Sequence, residues 1–356
     1  MRLRSTGFVA ALIGASLSAS ASAGVTQIPA DAQRPFKHQP SGIVIPAIAG
    51  GLPRTAVEAF DDKQLDFAAE YRTQDDREDT TLYIFRKVTG DVPVWFDRIQ
   101  RAIEARDIYA SPKLAGPPTV FTPPGQSNGR GLMVLYTPGS LPWTSTGAAM
   151  TATGDWFVSI RASSQSLSPA QLASRMNQTL ASLRLPREQT AAPDAYVVQD
   201  CPSAMPQGPD AAPVKDTGSV VLMSALSASI AGKLADKGTT SPPPRWCRDA
   251  FRSPAFGVYR PNAATDRYLV AFEDAGRGMT VAPNGLAGIL AGAKGSDSRT
   301  YMVELVDMDR HVGFGSFATV PSVAQTLWLL DYGARLYTTG TWGKQHDISI
   351  SSDAVK

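Results

Sequence analysis

Two alternating segments, "LDFAAEYR" at 65–72 and "TLYIFR" just beyond it, flank the charged stretch "TQDDRED". Side chains in a strand point to opposite faces with a period of two, so each segment has one apolar and one mixed face. A short charged link between two such strands is a hairpin turn, which commits this part of the chain to antiparallel sheet with one face to be covered. A helix is predicted after Asp91, because Trp95, Ile99, Ala102 and Ile103 recur at three or four residues, with Asp91 or Val92 near the cap. Beyond a proline-rich stretch at 112–124, "GLMVLYT", "AAMTAT" and "WFVSIRA" read as strands, the last two joined by a Gly-Asp turn. "SPAQLASRMNQTLASL" then has every mark of a helix. Ser168 and Gln171 form a capping box, Pro169 takes the first helical position, and Leu172, Met176, Leu180 and Leu183 make one stripe.

Residues 42–186 thus read as one α+β module, after a loose arm at 24–41, and residues 187–218 as a linker-rich region. Residues 219–356 read as a second α+β module. It opens on "SVVLMSALSASIAGKL", an apolar run short for a membrane span and expected to be a buried helix. The strand patterns "AFGVYR", "RYLVAFE", "TYMVELVD" and "HVGFGSFA", a helix near "SVAQTLWLLD", and further strands in "ARLYTTGTW" and "DISIS" follow. The expected fold class is α+β, two modules of mostly antiparallel sheet with packed helices. "TGDWFVSIRASSQSLSPAQLASRM" and "MDRHVGFGSFATVPSVAQTLWLL" share a turn, strand and helix plan that hints at an internal repeat.

The N-terminus places Arg2 and Arg4 before an apolar run, Phe8 to Leu17, and then the small residues "ASASAG". This is the layout of a secretory signal peptide over residues 1–23, so an exported, periplasmic or secreted protein with no remaining transmembrane anchor is expected. Losing Arg2 and Arg4 brings the 34 basic residues level with the 32 acidic ones. A net charge near zero gives no reason to expect nucleic acid or an anionic membrane as partner. Cys201 and Cys247 are the two cysteines, and in an exported protein they are expected to pair.

Pro46, Ile48, Gly50, Gly51 and Arg54 lead to Tyr71 and then "TLYIF". Over about forty residues this resembles a group of uncharacterised, signal-bearing bacterial proteins, in which a Pro/Gly-Gly/Arg segment precedes a tyrosine-bearing strand pair. The resemblance implies export and an α+β fold, and no activity comes with it.

Short motifs name candidate chemistry, and each is weighed by its setting. "GQSNG" at 125–129 matches a serine-hydrolase pattern with Ser127 as nucleophile, yet prolines precede it and a strand follows where a helix is needed. "DTGS" at 216–219 matches an aspartic-peptidase pattern through Asp216, which would need a second copy of the chain for its partner carboxylate; a helix start is the simpler reading. Asp75, Asp76, Glu78 and Asp79 carry oxygens for calcium but lack the spacing of a dedicated loop, and a solvated hairpin tip is expected instead. "GFGSFA" at 313–318 lies inside a strand pattern, not between strand and helix. In "TWGKQHDISI" strand parity sends His346 and Asp347 to opposite faces, so the aspartate cannot orient the imidazole. His311 and His38 are read as structural in the same way. The residues together point to a non-enzymatic binding or accessory component of the cell envelope that uses no cofactor, with Trp143, Trp156 and Trp342 as aromatics for a binding groove. A hydrolase working through Asp216 or Ser127 is the alternative, the latter needing His311 or His346 within reach.

Overall fold

The computed structural model describes residues 24–186, 193–206, 208–214, 218–235, 243–284, 300–344 and 347–352. The first sheet has ten antiparallel strands. Its main members are β1 (Leu52–Ala59), β2 (Asp66–Arg72), β3 (Glu78–Arg86), β4 (Gly131–Thr137), β5 (Ser145–Thr153) and β6 (Trp156–Ser164). They lie in the order β1-β2-β3-β6-β5-β4. Helix α1 (Val92–Glu104) carries the chain from β3 across to the far strands, and α2 (Pro169–Ser182) follows β6. Both helices begin where the sequence places their caps. The Asp91 carboxylate accepts from the Val92 amide, and Ser168 and Gln171 close a reciprocal capping box. Trp95, Ile99 and Ile103 are buried along α1, as are Leu172, Met176 and Leu180 along α2.

The second sheet also has ten strands. After α3 (Gly218–Ala235) it runs as a meander of β7 (Trp246–Arg252), β8 (Phe256–Pro261), β9 (Tyr268–Phe272), β10 (Gly278–Pro283), β11 (Tyr301–Val306), β12 (Arg310–Phe317), β13 (Tyr337–Gly340) and β14 (Ile348–Ile350). Helix α4 (Val323–Tyr332) interrupts it between β12 and β13. Ser322 caps α4 as Ser168 caps α2, but the Gln325 side chain grips both the amide and the carbonyl of Ala211 and does not close a capping box. The strand orders of the two sheets differ, one reversing across α1 and the other a plain meander.

The α+β expectation is corrected by these sheets: among the described residues the chain is mostly β, with 39% strand against 17% helix and four helices. The excess strand comes from segments whose inward polar residues are neutralised by distant partners, β1 and β7 among them. It also comes from the proline-rich stretches, which supply short edge strands at Lys113–Leu114, Thr119–Phe121, Gln199–Asp200 and Pro213–Val214. Proline is tolerated at an edge because no ladder bond is lost there. Gln199–Asp200 and Pro213–Val214 join the second sheet, while Asp194 and Ala195 hydrogen-bond to Gly129 and Val198 enters the first core, so the described part of the linker-rich region is built into both modules.

Two further expectations are corrected by packing. Residues 24–41, read as a loose arm, lie against the first module: Thr26–Gln27 pairs with β1, and His38 is fully buried. Helix α3, read as buried, packs Val221, Ala225 and Ala228 with Tyr337, while Leu222, Met223 and Leu226 face outward. No helix among the described residues is long and apolar enough to cross a membrane.

The residues that carry the family resemblance meet in space. Arg54 is buried and donates to the carbonyls of Asp31 at 2.7 Å, Arg34 at 2.9 Å and Pro46 at 3.4 Å, while the Tyr71 hydroxyl donates to Pro46 at 3.0 Å. Gly50 has a left-handed φ of +57° and lies so close to α2 that a Cβ would stand 2.5 Å from Thr179 Oγ1. These residues are therefore a latch that ties the N-terminal arm to the sheet and to α2.

The modules share one core. Tyr259, Leu269, Ala271 and Met308 of the second module belong to the same apolar cluster as Trp95, Phe96 and Phe157 of the first. Helix α1 sits at this joint. Its buried Asp97 accepts from the Tyr259 hydroxyl at 2.7 Å and from Arg248, and Arg98 donates to the carbonyls of Glu273 and Pro254 at 2.6 Å each and of Ser253 at 3.3 Å. Cys201 and Cys247 form a disulfide next to the parallel pairing of Gln199–Asp200 with β7.

Candidate functional site

A cavity of about 190 Å³ lies between the first sheet and the C-terminal end of α1. The pleat decides what lines it. Residues i and i+2 share a face, so Glu70 and Arg72 of β2, Asp79, Thr81 and Tyr83 of β3, and Arg161 and Ser163 of β6 all turn toward it. Cross-strand register puts Arg72 opposite Asp79, Glu70 opposite Thr81, Thr81 opposite Arg161 and Asp79 opposite Ser163. The roof comes from Ile103 at the end of α1, from Arg106, and from Tyr109 in the 3-10 turn that follows.

The lining is polar and carries both signs of charge. Arg72 is paired with Glu70 at 3.0 Å, and Arg161 is paired with Asp274, which reaches over from the second module. The Arg161 guanidinium stacks 5.0 Å from the Tyr83 ring centre, and burial lowers its pKa from the ordinary value. Its Nε is buried with no hydrogen-bond partner. Burial raises the Asp79 carboxyl, against the opposing pull of Arg72 and Arg106. A hydroxyl chain links roof to floor, from Tyr109 to Ser163 at 2.9 Å and from Ser163 to Thr146 at 3.1 Å. Trp143 meets Tyr109 edge-on behind it, with ring centres 6.4 Å apart.

The sequence candidates fall elsewhere, with one exception. Glu78 and Asp79 are neighbours on β3, so the pleat sends them to opposite faces: Glu78 pairs with Arg175 of α2, and Asp79 lines the cavity. Asp75 and Asp76 stay at the exposed hairpin tip, where Thr73 and the Arg77 amide hold the Asp75 carboxyl below its ordinary range. Among the described residues no group of three or more His, Cys, Asp or Glu could hold a metal ion.

Ser127 is exposed on the link between Thr119–Phe121 and β4, which pair antiparallel, so a strand follows it as the sequence suggests. Among the described residues no hydrogen bond joins Ser127 to His311. Asp216 and His346 lie outside the described residues; α3 begins at Gly218, and Ile348 and Ile350 of β14 share one face. In "GFGSFA" all but the last residue belong to β12.

The two described histidines sit in packed surroundings. His38 Nε2 donates to the Gln64 carbonyl at 2.9 Å, which leaves Nδ1 to accept from Ser41 at 2.7 Å, and burial lowers its pKa to about 4. His311 is lowered to about 4 by burial and then by Arg86. Trp156 and Trp342 stack edge-on at the joint, with Arg86 5.1 Å from the Trp342 ring centre, so these tryptophans pack rather than line a groove.

Asp66, at the other end of the same β2 face, is a half-buried acid at the joint. Burial raises its pKa to about 6, with Arg277 acting the other way and Asp61 reinforcing the rise. The folded value lies above the unfolded one, so its contribution to stability is fully present below about pH 4 and is lost as pH rises through about 6. Asp66→Asn is therefore expected to stabilise the protein at pH 8 by about 1–3 kcal/mol and to change nothing at pH 3.5. Urea melts at the two pH values check this, and equal effects at both would contradict it.

A larger hollow of about 490 Å³ on the second module is walled by residues that include Met205, Pro206, Pro209, Tyr301, Val320 and Pro321 and carries no charged side chain. The cavity under α1 is the better candidate because its polar groups converge and include a desolvated guanidinium. The sequence signal for it was the alternation of polar residues Asp79, Thr81 and Tyr83 with apolar ones along β3. Arg161 gave no signal of its own.

No family model, curated protein or solved structure matches the chain.

Proposed function

We propose that this is an exported, non-enzymatic binding or accessory component of the cell envelope, which holds a small polar ligand in the cavity under α1. The observation that carries the reading is Arg161: a largely buried guanidinium facing a polar cavity, with Nε buried and unpartnered. A buried donor without a partner is costly unless something else gains from it. A ligand that supplies acceptors there is a physical reason for keeping it. Export rests on the leader-like N-terminus and is compatible with the disulfide between Cys201 and Cys247.

Thermal melts of the purified protein against a panel of small polar solutes test this reading. At least one solute should raise the melting temperature, and Arg161→Met should abolish the rise while the protein stays folded. Hydrolysis of ester or peptide substrates, lost in Ser127→Ala or Asp216→Asn, would replace the binding reading with an enzymatic one.

A further inference from the structure

The charges around the cavity narrow the ligand class, and this step rests on the binding reading above. Two of its three arginines already have counter-charges, Arg72 with Glu70 and Arg161 with Asp274. That leaves one cation, Arg106, and one carboxylate, Asp79, in the lining, neither of which makes an ion pair among the described residues. They do not pair with each other. They are held apart, Arg106 on the roof just beyond α1 and Asp79 on the floor in β3. We propose that the cavity takes a small zwitterion of the α-amino acid class, with its carboxylate held between Arg106 and the unpartnered Nε of Arg161 and its ammonium on Asp79.

Other ligand classes fit the lining less well. A dianion such as phosphate would gain one unpaired guanidinium and meet the Asp79 carboxylate, a like-charge contact in a partly desolvated site. A neutral polyol would leave both unpaired charges unmatched, and charged partners give stronger hydrogen bonds than neutral ones. A zwitterion satisfies both ends at once and leaves the net charge of the site unchanged. Size points the same way: about 190 Å³ falls below the roughly 300–1,000 Å³ usual for sites that enclose larger organic ligands. The hydroxyls of Tyr109 from the roof and of Ser163 and Thr146 from the floor face a short polar side chain. The ring stacked on Arg161 closes the pocket on the Tyr83 side.

Calorimetric titration with glycine, L-alanine, L-serine, glucose and inorganic phosphate, with Arg106→Gln and Asp79→Asn beside the parent protein, decides it. At least one amino acid is expected to bind more tightly than glucose or phosphate, and each variant to weaken that binding tenfold or more. Arg106 is exposed, so Arg106→Gln should keep the parent melting temperature and serve as the folded control for the less exposed Asp79. Glucose or phosphate binding more tightly than every amino acid, in an Arg161-dependent way, would overturn the zwitterion and leave the binding reading standing. Amino-acid binding untouched by either variant would also overturn it. If neither these five probes nor the wider solute panel binds, both fall.

Discussion

Replacing Arg98 with alanine is expected to destabilise the protein by about 3–5 kcal/mol, the usual cost of opening a buried charged network. Arg98 is almost completely buried, and its guanidinium forks to three carbonyls of the second module, at Ser253, Pro254 and Glu273. Gly257 lets it come close, since a Cβ there would stand 3.2 Å from Arg98 Nη1. Truncation removes three hydrogen bonds from a buried charged group to part-buried carbonyls, each worth roughly 1.5–3 kcal/mol before relaxation. Arg98→Lys should recover only part of this, because an ammonium is a point charge without the planar fork. Urea denaturation followed by tryptophan fluorescence measures both variants. If the midpoint of Arg98→Ala equals that of the parent, the joint is not held where the geometry puts it.

Breaking the disulfide is the second large expected effect. Cys201 and Cys247 are 46 residues apart in sequence, and closing a loop of that length lowers the entropy of the unfolded chain by about 4 kcal/mol in the chain-entropy account. The bridge also anchors a weak local structure. Only Gln199 and Asp200 pair with β7, and the Cys201 amide donates to the Arg248 carbonyl at 2.8 Å. Close by, the buried Asp249 joins Arg260 at 3.1 Å and accepts from the Met205 amide. The double variant Cys201→Ser, Cys247→Ser should therefore shift the urea midpoint strongly downward, and reduction of the parent should do the same. Thiol titration confirms that reduction is complete. An unchanged midpoint in the fully reduced protein would refute the expectation.

Helix positions were legible because local chemistry writes them. Asp91 before a periodic apolar run, and Ser168 three residues before Gln171, name their own termini. The hairpin of β2 and β3 was legible through alternation. What could not be read was strand whose polar residues turn inward. In β1, Arg54 is buried only because the carbonyls of Asp31 and Arg34 come back to meet it. In β7, Arg248 and Asp249 look like surface charge until Asp97 and Arg260 are placed beside them. Asp31 and Arg34 lie 20 or more residues from Arg54, and Asp97 lies 151 residues from Arg248, beyond any local window. Arg260 is much nearer to Asp249 in sequence and meets it from the next strand. That hidden strand moved the chain from the expected α+β balance to a mostly β one. The site was illegible for a related reason. Asp79 was noticed, but as part of a cluster with Asp75, Asp76 and Glu78, and only the pleat separates it from Glu78. Arg161 and Arg106 come from a strand and a helix end far apart in the chain, and nothing in either neighbourhood marks them as companions.

Helix α1 spans about 20 Å at 1.5 Å per residue, and it serves two masters along that length. Near its middle Arg98 is clamped by the second module, and just past its end Arg106 and Tyr109 close the cavity. The cavity floor is moored to the same neighbour through the pairing of Arg161 with Asp274. Neither wall of the pocket therefore stands on local foundations. A chain ending at residue 186 would keep every lining residue yet lose both moorings, so the two halves make one binding unit even though all the lining residues belong to the first.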